Sequence, residues 1–112
     1  MMDAGFAARV ADALEAVPAG RVTSYGALAA AAGWPRHARH VARVLKAMPD
    51  LPWQRVVHAD GSLARPGSEQ HDWQHALLEH EGVAFLPSGR VDLQRCGWPL
   101  SDDAMPASMT RS

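Results

Sequence analysis

Pro35-Arg36-His37-Ala38-Arg39-His40-Val41-Ala42-Arg43-Val44-Leu45-Lys46-Ala47-Met48 is the stretch from which the rest of the 112-residue chain can be read. Val41, Val44, Leu45 and Met48 recur at i, i+3, i+4 and i+7, so one face of a helix is apolar. Arg36, Arg39, His40 and Arg43 fall on the opposite face, with no carboxylate four residues away to pair them. Pro35 suits the first position of such a helix. Just upstream, Ser24 is an N-cap for a helix over Tyr25–Ala32, and Gly33 is its C′ stop. Two helices joined by a turn of three or four residues, the second cationic on its outer side, read as a helix-turn-helix.

Working outward, Phe6, Val10 and Leu14 form the stripe of a first helix over about Asp3–Ala16, ended by Pro18-Ala19-Gly20. Arg21-Val22-Thr23 is too short for more than an extended turn. Arg55–His58 and Ser62–Ala64 flank Asp60-Gly61, a hairpin signal. A fourth helix is expected over Glu69–His80, capped by Ser68 and stopped by Gly82. Val83–Leu86 and Arg90–Leu93 flank Pro87-Ser88-Gly89, a second hairpin. Residues 101–112 are small and polar without periodicity and read as a disordered tail.

Composition narrows the function. Hydrophobic residues make up 47% and charged residues 21%, which is ordinary for a globular protein. No apolar run approaches the roughly 18 residues needed to span a bilayer. The acidic start Met1-Met2-Asp3 is unlike a secretory leader, and a lone cysteine, Cys96, excludes an internal disulfide and a cysteine metal cluster. A cytoplasmic setting is therefore expected. The net charge of −1 hides an asymmetry. Arg21–Arg65 carries seven basic residues against two acidic ones, and the remainder four against ten, so +5 sits between flanks totalling −6. Such a basic middle suits a polyanion.

In Pro52-Trp53-Gln54-Arg55-Val56-Val57, a tryptophan between a proline loop and a β-branched strand would by itself be a core residue. Its neighbours add a second reading. A cationic helix precedes it and Arg65 follows it, and an indole with a guanidinium can stack on and hydrogen-bond a nucleobase. The segment resembles the Pro-Cys-His-Arg-Val active-site motif of the O6-alkylguanine-DNA alkyltransferases, with Trp in the Cys position, the replacement that marks the alkyltransferase-like proteins. Three further motifs appear in the family's order. Val22-Thr23-Ser24-Tyr25-Gly26-Ala27-Leu28-Ala29 is similar to V-x-x-Y-G-x-[IL]-A. Pro35-Arg36-His37-Ala38-Arg39-His40-Val41 is similar to P-x-x-A-R-x-V. Leu77-Leu78-Glu79-His80-Glu81-Gly82 is similar to L-L-x-x-E-G. The resemblance spans roughly Phe6 to Leu93.

The resemblance implies a fold class that is mainly α with short β-hairpins, a winged helix-turn-helix-like DNA-binding domain over residues 1–100. It also implies roles. Trp53 stands where the transferases keep their nucleophile, Gln54 where they keep the histidine that deprotonates it, and Glu81 where they keep the acid that orients that histidine. Thiolate and base are both missing, so self-alkylation is not expected. Tyr25 matches the tyrosine that presses on the DNA backbone and rotates a nucleotide. Arg39 matches the arginine that fills the vacated stack, in a family whose second motif helix enters the minor groove. The small residues Ala38 and Ala42 beside it suit that narrow groove. Arg36 and Arg43 join Tyr25 and Arg39 as expected DNA contacts, and Tyr25, Trp53 and Arg65 as the expected lesion pocket. Lys46–Pro52 is shorter than in the transferases and lacks their Asn-Pro, which bears on the floor of that pocket.

Other candidates are weaker. Cys96 matches no active-site motif and reads as a buried thiol. His71 and His75 have i, i+4 metal spacing but no third ligand, so no metal and no cofactor are expected. His37, His40 and His58 lie in the basic region, where protonation would let them meet phosphates. The resulting expectation is a non-enzymatic, monomeric binder of alkylated guanine in duplex DNA. It would shield the lesion or flag it for nucleotide excision repair proteins. The alternative is a sequence-specific helix-turn-helix regulator, which would need a dimerisation element that the chain does not display.

Overall fold

The computed structural model describes residues 4–64 and 67–99. Helix α1 (Ala4–Glu15) buries Phe6, Val10 and Leu14, the stripe expected from its spacing. A short strand β1 (Thr23–Ser24) leads directly into α2 (Tyr25–Ala31). The Ser24 hydroxyl accepts from the Ala27 N–H at 3.0 Å and caps α2. At its other end Gly33 adopts φ +95°. The Gly33 N–H reaches the Ala30 carbonyl, and the Trp34 N–H reaches that of Ala29, which is a Schellman closure.

Helix α3 spans Ala38–Ala47. It starts three residues later than Pro35 suggested, and the connecting turn covers residues 32–37 rather than three or four. The reason is packing on both sides of Pro35. Trp34 lies edge-on against Phe6 of α1, with ring centroids 5.6 Å apart, and the His37 N–H closes a turn onto the Trp34 carbonyl. Val41 and Leu45 are buried, and Val44 and Met48 pack beside them, as the periodicity requires. Arg36 therefore belongs to the turn, not to the helix. His40 is also displaced from the expected outer face, its ring set edge-on to Phe6 at 6.4 Å.

The chain then makes a 3-10 turn (Trp53–Arg55) and strand β2 (Val56–Val57). The expected antiparallel hairpin around Asp60-Gly61 does not form. β2 instead pairs in parallel with β1, Thr23 opposite Val56 and Ser24 opposite Val57. Both valines are buried, a condition that favours a covered parallel ladder over an edge hairpin. What survives locally is a turn, in which His58 N–H donates to the Ser62 carbonyl. Gly61 has φ +88°, and a Cβ there would lie 2.7 Å from the Val91 carbonyl oxygen. The second hairpin contracts to one antiparallel bridge, Phe85 with Val91. The arrangement is thus helix-turn-helix-like with a two-stranded sheet, and neither expected wing extends into a ladder.

Helix α4 spans Glu69–His80, with the Ser68 hydroxyl accepting from the His71 N–H, as expected. A single turn, α5 (Leu93–Cys96), follows; beyond it Gly97 bridges in parallel to Val22. Two apolar clusters flank the small sheet. One gathers α1, α2, α3 and Val56; the other gathers Val22, Val57, Leu63, Leu78, Val83, Val91 and Cys96. Val56 and Val57 serve opposite clusters because successive strand side chains point to opposite faces. Gln74 of α4 is a buried polar side chain that sequence reading passed over. It accepts from the Ala64 N–H and donates to the carbonyls of Gln54 and Val56, locking α4 to the 3-10 turn. The tail expected at 101–112 lies outside the described residues.

Candidate nucleic-acid interface

A pocket of 520 Å³ opens between α3 and α4. Its walls are Tyr25, the α3 residues Ala42, Leu45 and Lys46, then Pro49, Trp53, Ala64, and the α4 residues Glu69, Gln70 and Trp73. The size falls within the ~300–1,000 Å³ of typical small-molecule sites. Tyr25 reaches it as the first residue of α2, set there by the Ser24 cap. Trp53 reaches it because the Pro-bounded loop ends in a 3-10 turn whose Trp53 N–H bonds back to the Leu51 carbonyl. Both side chains are half-buried and rest against the first apolar cluster. Burial raises the Tyr25 phenol above its ordinary pKa, so it stays neutral near physiological pH.

The other expected residues divide. Arg39 lies on the same face of α3 as the pocket-lining Ala42 and Lys46, at i, i+3 and i+7, one turn before them. Arg43 is exposed beside Ala42, and Arg36 is exposed in the preceding turn. Among the described residues none of the three has an acidic partner. Arg65 lies outside the described residues; Ala64, just before it, lines the pocket. His58 is exposed with its ring 5.3 Å from that of Tyr25. Glu69, Gln70 and Trp73 were not anticipated. The Ser68 cap set the start of α4 correctly, but its weak apolar pattern gave no sign of which side meets the site.

Behind Trp53, Glu81 occupies the C-cap of α4 and gathers donors from three residues. Gln54 Nε2 donates to Oε2 at 2.7 Å. Arg55 donates through Nε and Nη2 at 3.1 Å each, and its Nη1 donates to the Val17 carbonyl at 3.0 Å. The Gly20 N–H adds a bond of 3.2 Å. Burial by itself would raise the Glu81 carboxyl. The hydrogen bonds from Arg55, Gln54 and Gly20, with the Arg55 charge, outweigh it and hold the group below the usual carboxylate range. Cys96 lies away from the pocket, buried in the second cluster, its sulfur accepting from the Ala84 N–H. His75 stacks on Phe85 at 4.4 Å, and His71 sits beside Asp72, so the i, i+4 pair is engaged locally.

A helix-turn-helix whose second helix carries arginines with no acidic partner among the described residues, opening on an aromatic pocket roomy enough for a nucleobase, defines a DNA-binding module that can receive a base. The comparisons agree with that class. Residues 5–83 match the family model described as 6-O-methylguanine DNA methyltransferase, DNA binding domain, and the chain belongs to that family. It is 45% identical over 96 residues to a DNA base-flipping protein of Escherichia coli K12, covering 83% of this chain and 74% of the relative. Alkyltransferase-like protein 1 of Schizosaccharomyces pombe is 37% identical over 82 residues, 70% of this chain and 76% of that protein. The crystal structure of S. pombe Atl1 in complex with damaged DNA containing O6-carboxymethylguanine superposes with a TM-score of 0.74 at 30% identity. It covers 88% of this chain and 98% of that one.

Proposed function

We propose that this chain binds O6-alkylguanine in duplex DNA, holds the damaged nucleotide out of the stack, and leaves it chemically unchanged. The observation that carries this reading is the placement of Trp53. Its indole, which the motif resemblance aligns with the family's cysteine, borders an open pocket beside Tyr25 and α3. A carbon-bound ring cannot accept an alkyl group as a thiolate does. Gln54, which the same resemblance aligns with the family's base, donates its amide to Glu81 and has no lone pair basic enough to take a proton.

The physical sequence follows from the placement. Arginines of α3 and its leading turn meet phosphates and supply most of the affinity. Tyr25, neutral and at the start of α2, presses against the backbone. Extruding a base costs a few kcal/mol of stacking, and the planar cation of Arg39 restores part of it. Trp53 walls the pocket that receives the base, and Arg65 donates to its O6 and ring nitrogen. The protein acts as a monomer, and the bound complex shields the lesion or presents it to nucleotide excision repair proteins.

The test is incubation with duplexes bearing O6-methylguanine labelled on the methyl group. Tighter binding than to the unmodified duplex, with all label left on DNA, is expected. Label on the protein, or equal affinity for both duplexes, overturns the reading.

A further inference from the structure

Trp73 is 62% exposed, an unusual setting for the largest apolar side chain, and it stands on the wall of the pocket. Its ring meets that of Trp53 edge-to-face, with centroids 5.6 Å apart and planes at 76°. Two indoles so arranged form an aromatic corner. A third planar ring entering it can stack on one indole and present an edge to the other, and both geometries are favourable. A methyl group cannot use the corner in this way, because it offers little surface and no quadrupole. The corner is built from separate elements, Trp53 from the 3-10 turn and Trp73 from α4. The Gln74 bonds to the carbonyls of Gln54 and Val56 hold those elements in register. Among the described residues Trp73 meets no ring but that of Trp53, and most of its surface is open to a ligand.

We propose that Trp73 is a specificity-determining residue which, with Trp53, selects O6 substituents carrying an aromatic ring over O6-methyl. The inference rests on the lesion-binding reading above and specifies the lesion class that this pocket takes best.

The experiment compares the full chain and three variants, Trp73→Ala, Trp73→Leu and Trp73→Phe, on duplexes containing O6-benzylguanine, O6-methylguanine or guanine. For the unaltered protein, the benzyl-bearing duplex binds tightest. Trp73→Ala is expected to lose about tenfold on that duplex, through the lost aromatic contact and buried area, and less than about twofold on O6-methylguanine. Trp73→Leu keeps apolar bulk but no ring face and should recover only the part of the loss that buried area carries, whereas Trp73→Phe should retain most of the preference. An unchanged thermal unfolding midpoint, read by circular dichroism, shows that the variants are folded. Equal losses on both lesions, or no loss on the benzyl-bearing duplex, overturn the role of Trp73 while lesion binding itself stands. Failure of the unaltered protein to distinguish O6-methylguanine from guanine overturns the underlying reading as well.

Discussion

Arg55 holds its guanidinium inside the protein, on Glu81 and the Val17 carbonyl, whereas Arg36, Arg39 and Arg43 extend theirs from α3 and the turn before it. The Arg55 and Glu81 side chains are only 18% and 11% exposed, and the three other arginines have no acidic partner among the described residues. One residue type thus serves two ends. Arg55 ties the 3-10 turn that carries Trp53 to the C-cap of α4 and to the loop after α1, fixing the pocket's back wall. The free arginines keep their charge available to an external polyanion, with no internal competitor to displace on binding. A fold that paired all four would be no better braced and would bind DNA less well.

The interior half of the comparison should show the largest energetic effect. Glu81→Ala strands the Arg55 charge in a largely covered site and removes the acceptor of Gln54. A loss of about 3 kcal/mol is expected, at the low end for a broken buried pair because both partners keep some exposure. Thermal unfolding should shift down by roughly 15 °C on that basis. The pH dependence follows from the depressed Glu81 group. Its folded pKa lies below the unfolded value of about 4.3, so its contribution is complete above that value and is lost as pH falls through the folded one. Glu81→Ala should therefore flatten the acid limb of the stability curve. An unchanged unfolding midpoint would show that Arg55 is no anchor and dissolve the contrast.

At the exposed half the effect should move from stability to binding. Arg39→Ala leaves the fold intact, because the side chain is exposed and has no acidic partner among the described residues. It should weaken binding to an O6-methylguanine duplex by about 2 kcal/mol, roughly 30-fold, and binding to unmodified duplex much less. Arg39→Lys keeps the charge but not the planar fork, and should recover only the part shared with unmodified DNA. Fluorescence titration of both duplexes gives the two losses side by side. Unchanged affinity for the lesion duplex would remove Arg39 from the gap-filling role.

Helix positions were legible from the sequence wherever the signals were local. Ser24 and Ser68 cap, Gly33 and Gly82 stop, and the spacing of Val41, Val44, Leu45 and Met48 faces a core; each rests on neighbours within a turn or two. The misreadings have a common origin in distant partners. Val56 and Val57 pair with Thr23 and Ser24, more than thirty positions away, so the tempting Asp60-Gly61 turn had no strand to return. Pro35 invited a helix start, but the contact of Trp34 with Phe6 on α1 claimed that segment for the turn. The site divides in the same way. Tyr25 and Trp53 were found through motif order, since each alone is an ordinary half-buried aromatic. Trp73 and Gln74 were missed because nothing near them in the chain says that α4 faces the 3-10 turn.

The smallest expected effect separates two kinds of exposed arginine. Arg43 neighbours Ala42 on α3 but does not line the pocket, and its guanidinium has no internal partner among the described residues. A phosphate contact of this kind carries charge but no information about the base. Arg43→Ala should weaken lesion-bearing and unmodified duplexes by the same factor, less than about tenfold, and reduce the slope of log affinity against log salt by about one. Raising the salt concentration should then narrow the gap between variant and unaltered protein on both duplexes together, because the variant releases one fewer counterion. A loss confined to the lesion duplex would instead bring Arg43 into contact with the extruded nucleotide. The boundary between charge and recognition on α3 would then fall one turn further along the helix.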